Sequence, residues 1–344
     1  MINEKSSSSK CLISRECLEK IHLDFQDACI KANCLLDILD NFIKSIESIV
    51  SEKQEECTDI FKQNDELRAI QEFKNGLTQS LAARKNTFKD INILNVTAIV
   101  VIAITIFINS KKDIEDDQFT LFIMARYKSL ASELKKLLRN AASGKQSDLT
   151  DRMAFKIVID DSNVTESVAI EKLNFLNNTI TGIITDSNQI LRVAFIQWVE
   201  STKMLDEGSK STILAFLNDF KMLYDKEKNY VDNPKSNGYR ARHCTFHIVS
   251  STVDTFVEMQ IVTKNMYDFN ERGNETNHSQ YEEYRDGDTI DIISLDDKSI
   301  PNIHIFGLDF DKSGVKEDNI GIFNCRRLVN RYISPKAISF HSSD

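Results

Sequence analysis

Two short stretches, Asn229–His243 (NYVDNPKSNGYRARH) and Val257–Thr263 (VEMQIVT), decide how this chain is read. The first gathers Lys235, Arg240, Arg242, Tyr239 and His243 around a single glycine, Gly238. The second alternates, so as a strand it puts Glu258 and Gln260 on one side and Met259 and Ile261 on the other. Cations meet phosphates, a tyrosine ring stacks on a purine, and a strand carboxylate holds a metal ion or accepts a proton. A nucleotide-phosphate site needs those groups together. Taken singly, each stretch also reads as an exposed hairpin loop or the wet side of a strand.

Two further islands lie upstream. Arg126–Lys136 (RYKSLASELKK) reads as a strand end carrying Arg126 and Lys128, followed by a helix whose first turn holds Ser129 and Ser132, with Lys136 one turn on. A helix start flanked by cations suits phosphate, although a solvated basic helix has the same composition. Asp151–Val158 (DRMAFKIV) places an acid just before an apolar strand, where it could hold Mg²⁺ or simply make a turn.

Around these islands the periodicity changes twice. Residues 12–90 carry apolar side chains at helical spacing and predict two helices, the second over about 55–86. Ile93–Ile108 (ILNVTAIVVIAITIFI) holds sixteen uncharged residues. It is slightly short for a membrane span and rich in β-branched residues, so a membrane anchor and a buried helix or strand both remain open. Strands are expected at Gln118–Ala125, Met153–Ile159, His243–Val249 and Thr255–Thr263, the last two as a hairpin. Helices are expected over Lys128–Asn140, most of 163–228 and Asn265–Arg285. Strand candidates recur between 289 and 323. Strands interleaved with helices give an α/β or α+β domain.

The 344 residues carry a net charge of −9, so any phosphate site is a local basic patch on an acidic protein. The seven cysteines are odd in number and form no CxxC pair, which fits a reducing cytosol and argues against a zinc ribbon or a secreted disulfide framework. MINEKSSSSK at the start lacks the apolar core of a signal peptide.

In this order, RYKSLASELKK, DRMAFK, NPKSNGYRARH, VEMQIVT and the polar run MYDFNERGNETNH resemble the synthetase domain of RelA/SpoT-type (p)ppGpp synthetases over roughly Gln118–Arg285. The resemblance implies a nucleotidyltransferase-like fold, a mixed sheet flanked by helices, with a helical region before it. It divides the chain into 1–112, a synthetase domain over 113–288, and an extension over 289–344. It implies a cytoplasmic pyrophosphokinase that moves the β,γ-pyrophosphate of ATP to the 3′-hydroxyl of GDP or GTP. On that mapping Arg126, Lys128, Ser132 and Lys136 bind ATP, and Asp151 holds Mg²⁺. Lys235, Asn237, Tyr239, Arg240 and His243 surround the acceptor. Glu258 assists the metal or deprotonates the hydroxyl, supported by Gln260. The chain departs from the pattern at Ala154 (a Gly), Lys156 (an Arg), Tyr267 (a His or Asn), Val262 (an Arg) and His278, which sits one residue late. These changes concentrate on the acceptor side. They keep open a toxin-like relative acting on tRNA or adenine nucleotides, and an inactive nucleotide-binding scaffold. No His-Asp pair of the hydrolase half is expected. Homo-oligomerisation and a membrane tether through 93–108 stay open.

Overall fold

A computed structural model describes residues 11–56, 64–111, 121–128, 130–146 and 150–272, and the backbone of 303–305 and 308–310. For Glu56, Thr87, Phe88, Ile91, Ala125, Arg126 and Arg272 the description extends to the backbone alone. The chain forms two compact units.

The first unit is helical: α1 (Arg15–Lys31), α2 (Leu35–Glu56), α3 (Asp65–Arg84) and α5 (Leu130–Ala142), with a short antiparallel pair of strands, β6 (Ile303–Ile305) and β7 (Leu308–Phe310). Three helices thus stand where the spacing predicts two, because the chain leaves the helix at Ala32. Ser14 caps α1, accepting from the Cys17 N–H, and also donates to Glu66 in the first turn of α3. Asn64 caps α3 through the N–H groups of Glu66 and Leu67. Phe25, Phe42 and Phe73, one from each of α1 to α3, meet edge to face with centroids 5.2 and 5.9 Å apart. Arg84 of α3 and Glu133 of α5 form an ion pair at 2.8 Å with both side chains fully buried.

The second unit holds α4 (Thr87–Ser110, from Phe88 on), α6 (Glu166–Ile184), α7 (Gln189–Ser201), α8 (Glu207–Asp219), α9 (Lys264–Arg272) and a five-stranded sheet. Its strands are β1 (Leu121–Tyr127), β2 (Met153–Ile159), β3 (Lys221–Asn229), β4 (Arg242–Val249) and β5 (Asp254–Thr263). Their order is β1-β2-β5-β4-β3, with β2 and β5 parallel and every other pair antiparallel, so the sheet is mixed. One face is apolar: Phe155, Ile157, Met259, Ile261, Cys244 and Phe246 are all buried there. The opposite face carries the polar residues of the site.

Ile93–Ile108 lies within α4, so the strand reading is corrected: burial all round overrides β-propensity. Asn92–Ser110 is long and apolar enough to cross a membrane, yet 78% of its most apolar window is buried inside the protein. Phe107 packs edge to face on Phe195 and Trp198 of α7. This is the packing of a core helix. The second correction concerns 221–229, expected as helix and found as edge strand β3. Its charged residues hide the alternation, and pairing with β4 sets its conformation. The strand candidates at 289 and 320, and the far half of the expected helix 265–285, lie outside the described residues.

Candidate active site

Strand register assembles the site. Directly opposed residues on neighbouring strands share a face, so one rung reads Lys226, Thr245, Glu258, Ala154 and Arg126 across β3, β4, β5, β2 and β1. The next rung reads Lys228, His243, Gln260, Lys156 and Met124. Glu258, Gln260 and His243 therefore occupy the middle of a polar face with basic positions at both edges. Lys226 and Lys228 were not singled out from sequence. The signal was the alternation Lys-x-Lys, masked by Asp225 and Glu227 between and beside them.

A continuous hydrogen-bonded chain runs through the centre. The Tyr239 hydroxyl lies 2.8 Å from His243 Nε2, and His243 Nδ1 lies 3.1 Å from Glu258 Oε1. Gln260 Nε2 donates to Glu258 Oε2 at 2.9 Å. Burial works against ionisation of Glu258. The hydrogen bond and charge of His243 and the Gln260 amide outweigh it, the charge of Asp151 opposes them, and the net effect lowers the pKa to about 2. An ionised Glu258 accepts from Nδ1–H, and the Tyr239 hydroxyl, donor and acceptor alike, can pair with Nε2 in either state of the ring.

At the entry to β2, Lys128 Nζ donates to Asp151 Oδ2 at 2.7 Å, and the Lys128 N–H donates to the Arg152 carbonyl. Lys226 Nζ reaches Thr150 Oγ1 at 3.3 Å, beside Asp151. Asp151 acts electrostatically on Glu258, so the two carboxylates repel. Such a pair suits a hard divalent cation completed by phosphate oxygens and water. Among the described residues no group of three or more His, Cys, Asp or Glu gathers around one point.

The loop before β4 is built on Gly238, whose φ of +80° a side chain would oppose. Asn237 Oδ1 accepts the Tyr239 N–H, closing the turn. Lys235 Nζ sits 4.5 Å from the Tyr239 ring centroid and 4.8 Å from that of Tyr230. Arg240 goes elsewhere: Nη1 donates to Glu166 of α6 and Nε to the Val231 carbonyl. Arg242 pairs with Glu227 and Asn174.

Lys156 lies on the site face, bonded to Glu271 at 2.5 Å and 5.1 Å from the Tyr267 ring. Val262 opposes Val158 on the same face, both almost fully buried, so that end of the face is apolar. Ser132 and Lys136 are on α5, in the helical unit. The Arg126 side chain and His278 lie outside the described residues.

Residues 125–286 match the family model described as "Region found in RelA / SpoT proteins". Solved structures that match the chain include small alarmone synthetase 1 of Bacillus subtilis bound to its product pppGpp. That match has 18% identity and a TM-score of 0.27, and covers 48% of this chain and 66% of that one. Small alarmone synthetase 2 of Bacillus subtilis matches at 13% identity with a TM-score of 0.34, over 72% of this chain and 98% of that one. A GTP pyrophosphokinase family protein from Streptococcus pneumoniae matches at 14% identity with a TM-score of 0.29, over 69% and 87%. No curated protein sequence matches the chain. The five-stranded sheet and its polar face lie mostly within the stretch, 125–286, that is similar to the RelA/SpoT region.

Proposed function

We propose that this chain is a pyrophosphokinase that transfers the β,γ-pyrophosphate of ATP to the 3′-hydroxyl of GDP or GTP. The observation that carries the reading is the Tyr239–His243–Glu258–Gln260 chain on the polar sheet face, with the Lys128–Asp151 ion pair close enough for Asp151 to act electrostatically on Glu258. Tyr239 offers a ring for the acceptor base, and Lys235 and Asn237 stand around it. Lys128 is the donor-phosphate cation of this reading, which takes Arg126, Ser132 and Lys136 as further donor-binding residues from the resemblance alone. Glu258 enters the reaction ionised. A carboxylate held at about 2 is a weak proton acceptor, which favours a role in holding a cation and orienting the hydroxyl over that of a strong base. Asp151 and Glu258 would hold Mg²⁺, which when bound neutralises charge on the transferring phosphates. The 3′-hydroxyl oxygen attacks the β-phosphorus of ATP and gives up its proton to solvent water, the bond from that phosphorus to the oxygen bridging it to the α-phosphorus breaks, and AMP leaves.

A second reading, with tRNA or an adenine nucleotide as acceptor, is favoured by buried Val262, which supplies no cation where the resemblance has an arginine. Transfer of label from ATP to separately supplied acceptors tests both.

A further inference from the structure

Asn270 is 6% exposed on α9, and its side-chain amide meets the backbone of Arg240 twice. The Arg240 N–H donates to Asn270 Oδ1 at 3.3 Å, and Asn270 Nδ2 donates to the Arg240 carbonyl at 2.8 Å. The Arg240 side chain is held separately by Glu166 and by the Val231 carbonyl. One loop residue is therefore fixed through its amide, its carbonyl and two guanidinium nitrogens. The neighbouring residue is Tyr239, whose hydroxyl points to His243. Before it comes Gly238, where an added Cβ would stand 3.2 Å from a ring carbon of Phe269, also on α9.

An amide that pairs with both polar groups of one residue copies a rung of β-pairing. It satisfies two backbone groups of a loop and removes the freedom of the chain there. Fixing a loop in its bound conformation before the ligand arrives raises affinity by lowering the ordering cost. We propose that Asn270 is a positioning residue for the acceptor: through the Arg240 backbone it holds the 235–241 loop so that the Tyr239 ring is presented in one orientation. The inference rests on the reading of Tyr239 as the acceptor ring. It gives α9 a part in acceptor affinity and none in the transfer step.

The test compares wild type with Asn270→Ala by hydrogen exchange of the 235–241 amides, GDP affinity by calorimetry, and steady-state kinetics. Loss of two hydrogen bonds to one backbone unit should speed loop exchange and weaken GDP binding by about tenfold each. The ATP KM and kcat should stay within about twofold, a split that general destabilisation would not give. Asn270→Asp keeps the acceptor for the Arg240 N–H and loses the donor to its carbonyl, so it should fall between. It carries the test if the Ala variant does not fold. Unchanged loop exchange, or faster exchange with unchanged GDP affinity, would overturn the proposal. A wild-type protein that moves no label to GDP or GTP defeats the reading of the reaction instead, while the clamp still stands or falls on exchange and binding.

Discussion

At Glu258 burial and hydrogen bonding act in opposite directions, and the hydrogen bonds win. Removing His243 takes away the largest lowering contribution. In His243→Ala the Glu258 pKa should rise from about 2 toward the usual carboxylate range, read by carbon NMR of labelled glutamate. A value that stays put would mean that His243 is not the cause. The same shift makes stability depend on pH. A carboxylate with a depressed folded pKa stabilises above its unfolded value of 4.5, and that stabilisation fades as pH falls toward about 2. It amounts to something on the order of 3 kcal/mol. Denaturant unfolding from pH 6 down to 2 should therefore show a shallower acid slope in Glu258→Gln than in wild type. Tyr239, His243, Glu258 and Gln260 were legible in the sequence because strand alternation and one hairpin suffice to bring them together. The pairing of Arg240 with Glu166 was not, since the two are 74 positions apart and nothing local announces it.

Glycine at 238 is an element-scale requirement, because the loop turns with φ +80° directly against α9. Gly238→Ala should cost roughly 1–2 kcal/mol in thermal unfolding, from left-handed backbone strain alone, and weaken acceptor binding further by pressing on Phe269. A variant as stable as wild type would show that the turn tolerates a side chain. Helix α4 permits a similar test. Phe107, 4% exposed, anchors it against Phe195 and Trp198. Phe107→Ala should lose about 3–5 kcal/mol of stability. An anchor facing lipid would lose little. The sequence left α4 ambiguous because a uniformly apolar segment has no face. Only the neighbours that surround it distinguish a core helix from a span. Strand β3 was hidden for the opposite reason: its lysines and acids on both sides resemble a solvated helix, and pairing with β4 overrides that appearance.

Across the whole molecule, the ordered motifs of 151–158, 229–243 and 257–263 convert into a mixed sheet with one apolar and one polar face, and on an acidic protein the polar one carries Lys156, Lys226 and Lys228. The helical unit carries its own core of Phe25, Phe42 and Phe73 and its own buried ion pair. Neutralising the buried carboxylate with Glu133→Gln should destabilise the protein in denaturant unfolding, since the buried Arg84 loses a charged partner. The account depends most on what the polar face does. The decisive measurement is transfer of γ-labelled phosphate from ATP in the presence of Mg²⁺ to GDP, GTP, ADP, ATP or tRNA, offered one at a time to wild type and to Glu258→Gln. The account predicts label on GDP or GTP with wild type and a fall of at least about a hundredfold in the variant. Label on tRNA or an adenine nucleotide would replace the guanosine acceptor with the second reading. Nucleotide binding without transfer to any acceptor would contradict the assignment of the site as catalytic.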